Sequence, residues 1–298
     1  MGKMAAAFGE LESDVVLVVG DRVEAFAAAA AAHISGRIVA HVHGGDRALG
    51  LVDDSLRHSI TKLAHVHFPA TMRSAQRIAR LGEDRWRIHR VGSPGLDDLS
   101  EASPWEQITE RFPSLRRRRY ALLVLHPSDP EAGAQRLAAE MVLGAVESIG
   151  IDQTLIVHPN NDPGSDGIRA CWQQAERAGG ERRTFCLDLP RPLYLGLLRD
   201  AAFLIGNSSS GIIEAASFGT MAIDVGPRQS GRERGANVVG VALAAPAVRH
   251  VAAHVWNDGR PRRFRSRNIY GKPGAGRAIA EILSQIDIAR HLRKLIAY

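Results

Sequence analysis

The feature that most constrains this chain is the regular exchange of short apolar runs with longer helix-patterned ones. DVVLVVG (14–20) precedes an alanine-rich stretch at 22–33, and RIVAHV (37–42) leads through a glycine-rich turn to a helix from about Asp53. AHVHFPA (64–70) precedes a helix from Met72, and RIHRVG (87–92) follows as a further strand. RYALLVLH (119–126), QTLIVHP (153–159), TFCLDL (184–189), AFLIG (202–206) and MAIDVG (221–226) continue the pattern, with helices at 131–149, near 166–178, at 192–200 and after the serines at 208–210. Such β-α alternation predicts an α/β fold whose parallel sheets are covered by helices on both faces.

The pattern breaks near 101–118, where EASPWEQITERFPSLRRR is polar, Pro-broken and charged. We therefore expect two doubly wound, Rossmann-like domains, residues 1–115 and 116–275, with a cleft between them. A last amphipathic helix at 276–298 is expected to pack back across both. The first domain opens on a helix-like piece before its first strong strand, so a leading βα segment is expected to be absent from it.

Composition narrows the function. The 298 residues hold no apolar stretch near the roughly 18 residues of a membrane-spanning helix, and the first residues carry acids too early for a secretory signal. Two cysteines, Cys171 and Cys186, make neither a disulfide framework nor a zinc spacing, so a cytoplasmic protein without metal or cofactor is expected. Net charge is +6, with basic runs at 116–119 and 260–267. These runs read first as solvated loop charge; as an attractor of anions, with aromatics only 5% and no nucleic-acid module, the charge favours a phosphorylated small molecule over nucleic acid.

One turn stands out: GNSSSGIIEAASFG (206–219), after an apolar strand. In open α/β sheets ligands bind beyond the carboxyl ends of the strands. Helix N-termini there present unpaired N–H groups and a positive dipole end. Ser208, Ser209, Ser210 and Gly211 thus make a candidate anion cradle, and Glu214 is placed to accept both hydroxyls of a ribose. Alone, the stretch reads equally well as a serine cap followed by a solvated glutamate. Neither GxGxxG nor GxxxxGK[ST] occurs.

Other strand ends are polar too. Arg228, Arg232 and Arg234 follow the next strand and can reach the same phosphates, or form a surface loop. His158 precedes, and Asn160 and Asn161 stand in, a Pro-Asn-Asn-Asp-Pro run that is also ordinary turn chemistry. In the first domain Asp21, His43, Asp46 and Asp53 all fall at one edge of the inferred sheet. Convergent carboxylates suit acid–base work on a nucleotide-linked substrate. His126, ending its own strand, can act as acid, base or phosphate partner.

GDRVE (20–24), HVHGGD (41–46), VDDSLRHSITKLAHVHF (52–68), LGEDRWRIHRVGSPGLD (81–97), HPNND (158–162), GNSSSGIIEAASFG and GPRQSGRERGANVV (226–239) together carry a resemblance. They resemble the UDP-N-acetylglucosamine 2-epimerases, most closely the hydrolysing type of the sialic-acid and nonulosonate pathways. The resemblance implies a GT-B-like fold and a nucleotide-sugar substrate. It implies elimination of the nucleotide across C1–C2, then hydration, giving a free 2-epimeric sugar such as N-acetylmannosamine. By motif, Asp21, Asp46, Asp53 and His126 match catalytic positions. Ser209, Ser210, Gly211 and Glu214 match nucleotide contacts, with His43, His158, Asn160 and Arg232 as further substrate contacts. Many hydrolysing members have Glu where Asp46 stands. Family members often form dimers or tetramers, so a homo-oligomer is expected. The alternatives are a nucleotide-sugar-binding remnant without turnover and a GT-B glycosyltransferase, which need not keep Asp21, Asp46 and Asp53 together.

Overall fold

The computed structural model describes residues 1–48, 53–264, 267–295 and 297, with the side chain of Asp53 outside the described residues. The chain divides into two compact units. The first comprises Met1–Asp97, Gly231–Glu233 and Ile269–Tyr298; the second comprises Asp98–Ser230 and Arg234–Asn268. The change of unit thus comes at 97/98, ahead of the polar segment. The reason is packing: Ile108 and Phe112 of that segment are buried in the core of the second unit with Leu193 and Leu197.

The first unit begins with α1 (Gly2–Glu10), β1 (Val15–Val19), α2 (Val23–Ile34), β2 (Ile38–Val42), α3 (Asp53–Leu63), β3 (Val66–Phe68) and α4 (Met72–Arg80). Among the described residues its sheet is β1-β2-β3, parallel throughout. β2 is buried along its whole length, so its two faces need separate covers. On one side, Val39 packs with Ala29 and Ala32 of α2 and Ile60 of α3. On the other, Ile38, Ala40 and Val42 meet Ile279 and its neighbours from the end of the chain. The alanines of α2 are good helix formers, and their small side chains let helix and sheet approach closely.

The second unit contains α5 (Trp105–Arg111), β4 (Tyr120–Val124), α6 (Ala132–Glu147), β5 (Gln153–Val157), α7 (Ser165–Arg177), β6 (Arg183–Cys186), α8 (Arg191–Asp200), β7 (Phe203–Gly206), α9 (Ser210–Ile213), α10 (Ala215–Phe218), β8 (Met221–Val225), β9 (Val238–Val241) and α11 (Ala245–Trp256). Its described strands form one parallel sheet in the order β6-β5-β4-β7-β8-β9. α6, α7 and α11 cover one face with Val142, Trp172 and Trp256. α5 and α8 cover the other, where the Tyr120 hydroxyl donates to the Leu197 carbonyl at 2.6 Å. Chain order runs outward from β4 to β6 and then resumes on the other side at β7. The β4/β7 boundary is therefore the topological switch point, where such sheets open a crevice for ligands.

Three local expectations are corrected. RIHRVG does not form a strand. It touches β3 through a single bridge, His67 to Ile88, and Arg87 turns instead to the carbonyls of His65, His291 and Arg293. The terminal helix is two helices, α12 (Ala275–Leu283) and α13 (Ile288–Leu292). The Asp287 side chain accepts from the Arg290 N–H at 3.1 Å, starting a new helix where the old one would have continued. Both helices pack on the first unit's sheet. The helix after the serines is likewise two short pieces that meet at Glu214.

Gly206 ends β7 with φ 134°, in a region that side chains rarely adopt, and a Cβ there would overlap the Val124 carbonyl of β4. Gly206→Ala is expected to destabilise the protein by about 2–4 kcal/mol in urea unfolding, as backbone strain and overpacking add. Native-like stability would mean that β4 and β7 can separate at no cost.

Candidate functional site

The switch point in the second unit carries a built polar cluster. Asn207, 3% exposed, clasps the peptide of His126: its Oδ1 accepts the His126 N–H and its Nδ2 donates to the His126 carbonyl, both at 2.8 Å. Its own carbonyl accepts from Arg228 at 3.2 Å and Gln229 at 2.9 Å. The ring of His126 is oriented as well. Its Nδ1 accepts the Asn160 N–H at 3.2 Å, so the proton of the neutral ring lies on Nε2. Burial, helped by the charge of Arg228, lowers its pKa to about 4. At neutral pH His126 therefore offers a neutral Nε2–H donor. His158 and Asn160 lie on the neighbouring loop after β5, and burial lowers the pKa of His158 too.

Next to this clasp the serines form a chain of hydroxyls. Ser208 Oγ lies 2.9 Å from Ser210 Oγ, which also bonds the Tyr194 hydroxyl. Burial raises Tyr194 to about 12, so it remains a protonated donor. Ser209 is half-exposed, and no side-chain cap bond occupies it. Gly211 has a packing reason: a Cβ there would stand 3.0 Å from both Ala222 and Leu204 of the sheet below. Glu214 is 7% exposed. Its Oε1 pairs with Arg191 at 2.9 Å, while the buried Oε2 has no hydrogen-bond partner. Burial raises its pKa against the opposing charge of Arg191. Arg191 is itself held by Asp98 at 2.9 and 3.1 Å. A buried carboxylate oxygen without a donor costs free energy unless a hydroxyl or water reaches it.

The first unit gathers the carboxylates. Asp46, 4% exposed, accepts from the Ser74 hydroxyl at 2.7 Å through Oδ1 and lies 3.0 Å from His43 Nδ1 through Oδ2. His43 Nε2 is 2.9 Å from the Ser93 hydroxyl. Burial alone would raise the pKa of Asp46. The His43 contact, the charge of Arg232 and the Ser74 bond together outweigh it and hold the carboxyl below its usual value. The turn is strained to achieve this. His43 sits at φ 62°, and Gly45 at φ 74° approaches the Ser74 carbonyl too closely for any side chain. Asp21, after β1, pairs with the buried Arg57 of α3, which also reaches Asp54 at 2.7 Å and the Asp46 carbonyl at 3.0 Å. The structure therefore brings Asp21, His43 and Asp46 to one sheet edge. Asp53 opens α3, but its side chain lies outside the described residues.

The three arginines expected beside the phosphates separate. Arg228 stands at the Asn207 clasp, and Arg234 pairs with Asp224 at 2.6 Å. Arg232 belongs to the first unit, where its charge acts on Asp46. Among the described residues no group of three His, Cys, Asp or Glu side chains could hold a metal ion, and no helix is long and apolar enough to cross a membrane.

The family profile of UDP-N-acetylglucosamine 2-epimerase matches residues 1–284. The chain belongs to this family. It is 36% identical over 231 residues to the UDP-N-acetylglucosamine 2-epimerase of Neisseria meningitidis, covering 77% of this chain and 60% of that protein. It is 35% identical over 288 residues to the UDP-N,N'-diacetylbacillosamine 2-epimerase (hydrolyzing) of Legionella pneumophila, covering 96% of this chain and 74% of that one. The matched stretch thus spans about three fifths of the Neisseria relative's length. A crystal structure of the Neisseria meningitidis UDP-GlcNAc 2-epimerase bound to UDP-GlcNAc matches with a TM-score of 0.81 at 17% identity, over 96% of this chain and 80% of that one. A Methanocaldococcus jannaschii UDP-GlcNAc 2-epimerase, in complex with UDP-GlcNAc and UDP, matches with a TM-score of 0.79 at 18% identity, over 95% of this chain and 80% of that one. At these identities the likeness is one of fold, the GT-B-like fold with two Rossmann-like sheets.

Three further site residues of this epimerase-family chain do not stand out in its sequence. Arg191, Tyr194 and Asn207 each meet partners 16 to 81 positions away. Asn207 had a signal, since it stands inside the serine turn. The others look like ordinary helix-surface residues until the helices are packed.

The edge of the carboxylate site also makes a pH prediction. His41 on β2 is fully buried beneath the turn, 2.9 Å from the Gly20 carbonyl, and burial lowers its pKa to about 3. The unfolded chain takes up this proton below about pH 6.5 while the folded one does not, so stability is full above that pH and is lost as pH falls towards about 3. His41→Gln is expected to flatten the acid limb between pH 6.5 and 4 by up to about 1.4 kcal/mol per pH unit. Urea unfolding at several pH values measures it, and an unchanged slope would contradict a neutral buried His41.

Proposed function

We propose that the chain acts as a hydrolysing nucleotide-sugar 2-epimerase, taking UDP-N-acetylglucosamine or a related UDP- or GDP-linked acetamido sugar. The observation that carries this reading is Asp46. It is a buried carboxylate kept in its basic form by His43, Ser74 and the charge of Arg232, on a turn strained to hold it. Removing a proton from the sugar C2 needs an ionised carboxylate to receive it. The names of the relatives support the substrate class: one acts on UDP-N-acetylglucosamine and another on UDP-N,N'-diacetylbacillosamine.

In this reading the nucleotide lies at the switch point of the second unit. Glu214 accepts ribose hydroxyls at its unpartnered oxygen, and Ser209 and Ser210 face the diphosphate, with Gly211 beside them. His126 donates from Nε2 to a phosphate oxygen, with His158 and Asn160 beside it. One of the carboxylates Asp21, Asp46 and Asp53 takes the C2 proton. The freed electron pair forms the C1–C2 double bond as the C1–O bond breaks, and the nucleoside diphosphate leaves. Water then adds its hydroxyl to C1, while C2 regains a proton on the opposite face. The products are the free 2-epimeric sugar, N-acetylmannosamine from UDP-N-acetylglucosamine, and the nucleoside diphosphate.

The test is nucleotide release. Incubation with UDP-N-acetylglucosamine and, separately, UDP-N,N'-diacetylbacillosamine is expected to liberate UDP from one of them, read by a coupled assay. Asp46→Asn should lower kcat by about 100- to 10,000-fold while leaving UDP affinity unchanged. Glu214→Gln should weaken UDP binding about tenfold or more by calorimetry. No release from UDP- or GDP-linked acetamido sugars, with no UDP binding, would end this reading. UDP binding without release would favour a binding protein.

A further inference from the structure

The carboxylate site of the first unit contains a buried cation, Arg57, paired with Asp21. Arg57 is 1% exposed, among the largest fully buried side chains of the protein. Two strand exits and its own helix converge on its guanidinium. Nη2 pairs with Asp21 from the exit of β1, and Nη1 donates to the Asp46 carbonyl at 3.0 Å on the exit of β2 and to Asp54 Oδ1 at 2.7 Å on α3. Asp54 in turn accepts the Ala48 N–H at 3.4 Å, so the far end of the turn containing His43 and Asp46 is tied to the same ion.

We infer that Arg57 is a positioning residue for this site: one fixed guanidinium sets the spacing of Asp21 and the Asp46 turn. The inference rests on the epimerase reading, since it assigns work to the carboxylates of that reaction. Its physical basis is the shape of the group. Asp21 and Asp54 are like charges that repel at short range unless a cation lies between them. A planar guanidinium serves carboxylates and a carbonyl in several directions at once from a rigid fork, whereas a lysine ammonium is a compact point charge on a flexible stem. A buried cation with three acceptors also resists displacement, because any one acceptor lost leaves charge unpaired in the interior. The Asp46 carboxylate is fixed by Ser74 and His43, but its peptide is fixed by Arg57. The guanidinium thus aligns two carboxylates without itself being placed against substrate.

The test compares wild type, Arg57→Ala and Arg57→Lys in the full chain. Arg57→Ala is expected to lose kcat about 100-fold with KM nearly unchanged, the size of effect that roughly 1 Å of misplacement produces. Free guanidinium ion at millimolar concentration should restore part of that kcat, which relief of a general folding defect would not do. Arg57→Lys should remain impaired and gain nothing from guanidinium. In both variants backbone amide exchange should quicken at residues 20–22 and 43–48 and stay unchanged in the second unit. If Arg57→Ala is too unstable to purify, Arg57→Lys carries the same exchange and kcat comparison. Wild-type turnover retained within about twofold in either variant, or unchanged exchange in both loops, overturns the inference. A wild type without turnover sinks the epimerase reading instead, while faster exchange in the variants would still support the positioning of the loops.

Discussion

The approach of β7 to β4 is the constraint from which the rest of the second unit follows. Only glycine fits at position 206, because its φ is left-handed and the Val124 carbonyl occupies the space of any Cβ. With the two strands that close, Asn207 can clasp the His126 peptide from both sides. The loops beyond then leave the sheet in opposite directions, one towards Asn160 and one towards the serines. Everything proposed for the nucleotide, from the Nε2–H of His126 to the unpartnered oxygen of Glu214, is placed relative to that clasp.

The first unit reaches the same kind of result with charge rather than close approach. Its small sheet brings two strand exits side by side, and a buried arginine and a strained histidine turn hold the acids there. The ionisation of Asp46 is a balance. Burial opposes its charge, and His43, Arg232 and Ser74 restore it. Carboxylates held in this way are costly as structure and stay ionised to receive a proton, and perturbed groups of this kind gather at functional sites.

Much of this was legible in the sequence. The parallel α/β architecture follows from apolar runs of strand length separated by helices, and the edges bearing Asp21, His43, Asp46, His126 and the serines follow from where those runs stop. Irregularities were less visible. RIHRVG has a strand's composition, but Arg87 is drawn to carbonyls at the end of the chain. The terminal helix breaks because Asp287 caps a new one, a competition that periodicity does not report. β9 is four residues of Val and Gly with little pattern to read. The pairs that tune the site were least visible. Arg57 to Asp21 spans 36 positions and Arg191 to Glu214 spans 23, and no local spacing rule links residues that only packing brings together.

The central claim is that C2 loses and regains its proton as the nucleotide leaves. The most direct measurement is turnover of UDP-N-acetylglucosamine in deuterated water, followed by proton NMR of the released sugar. The account predicts N-acetylmannosamine carrying deuterium at C2 together with UDP. Release of N-acetylglucosamine with its original C2 proton would mean simple hydrolysis at C1 and would contradict the account.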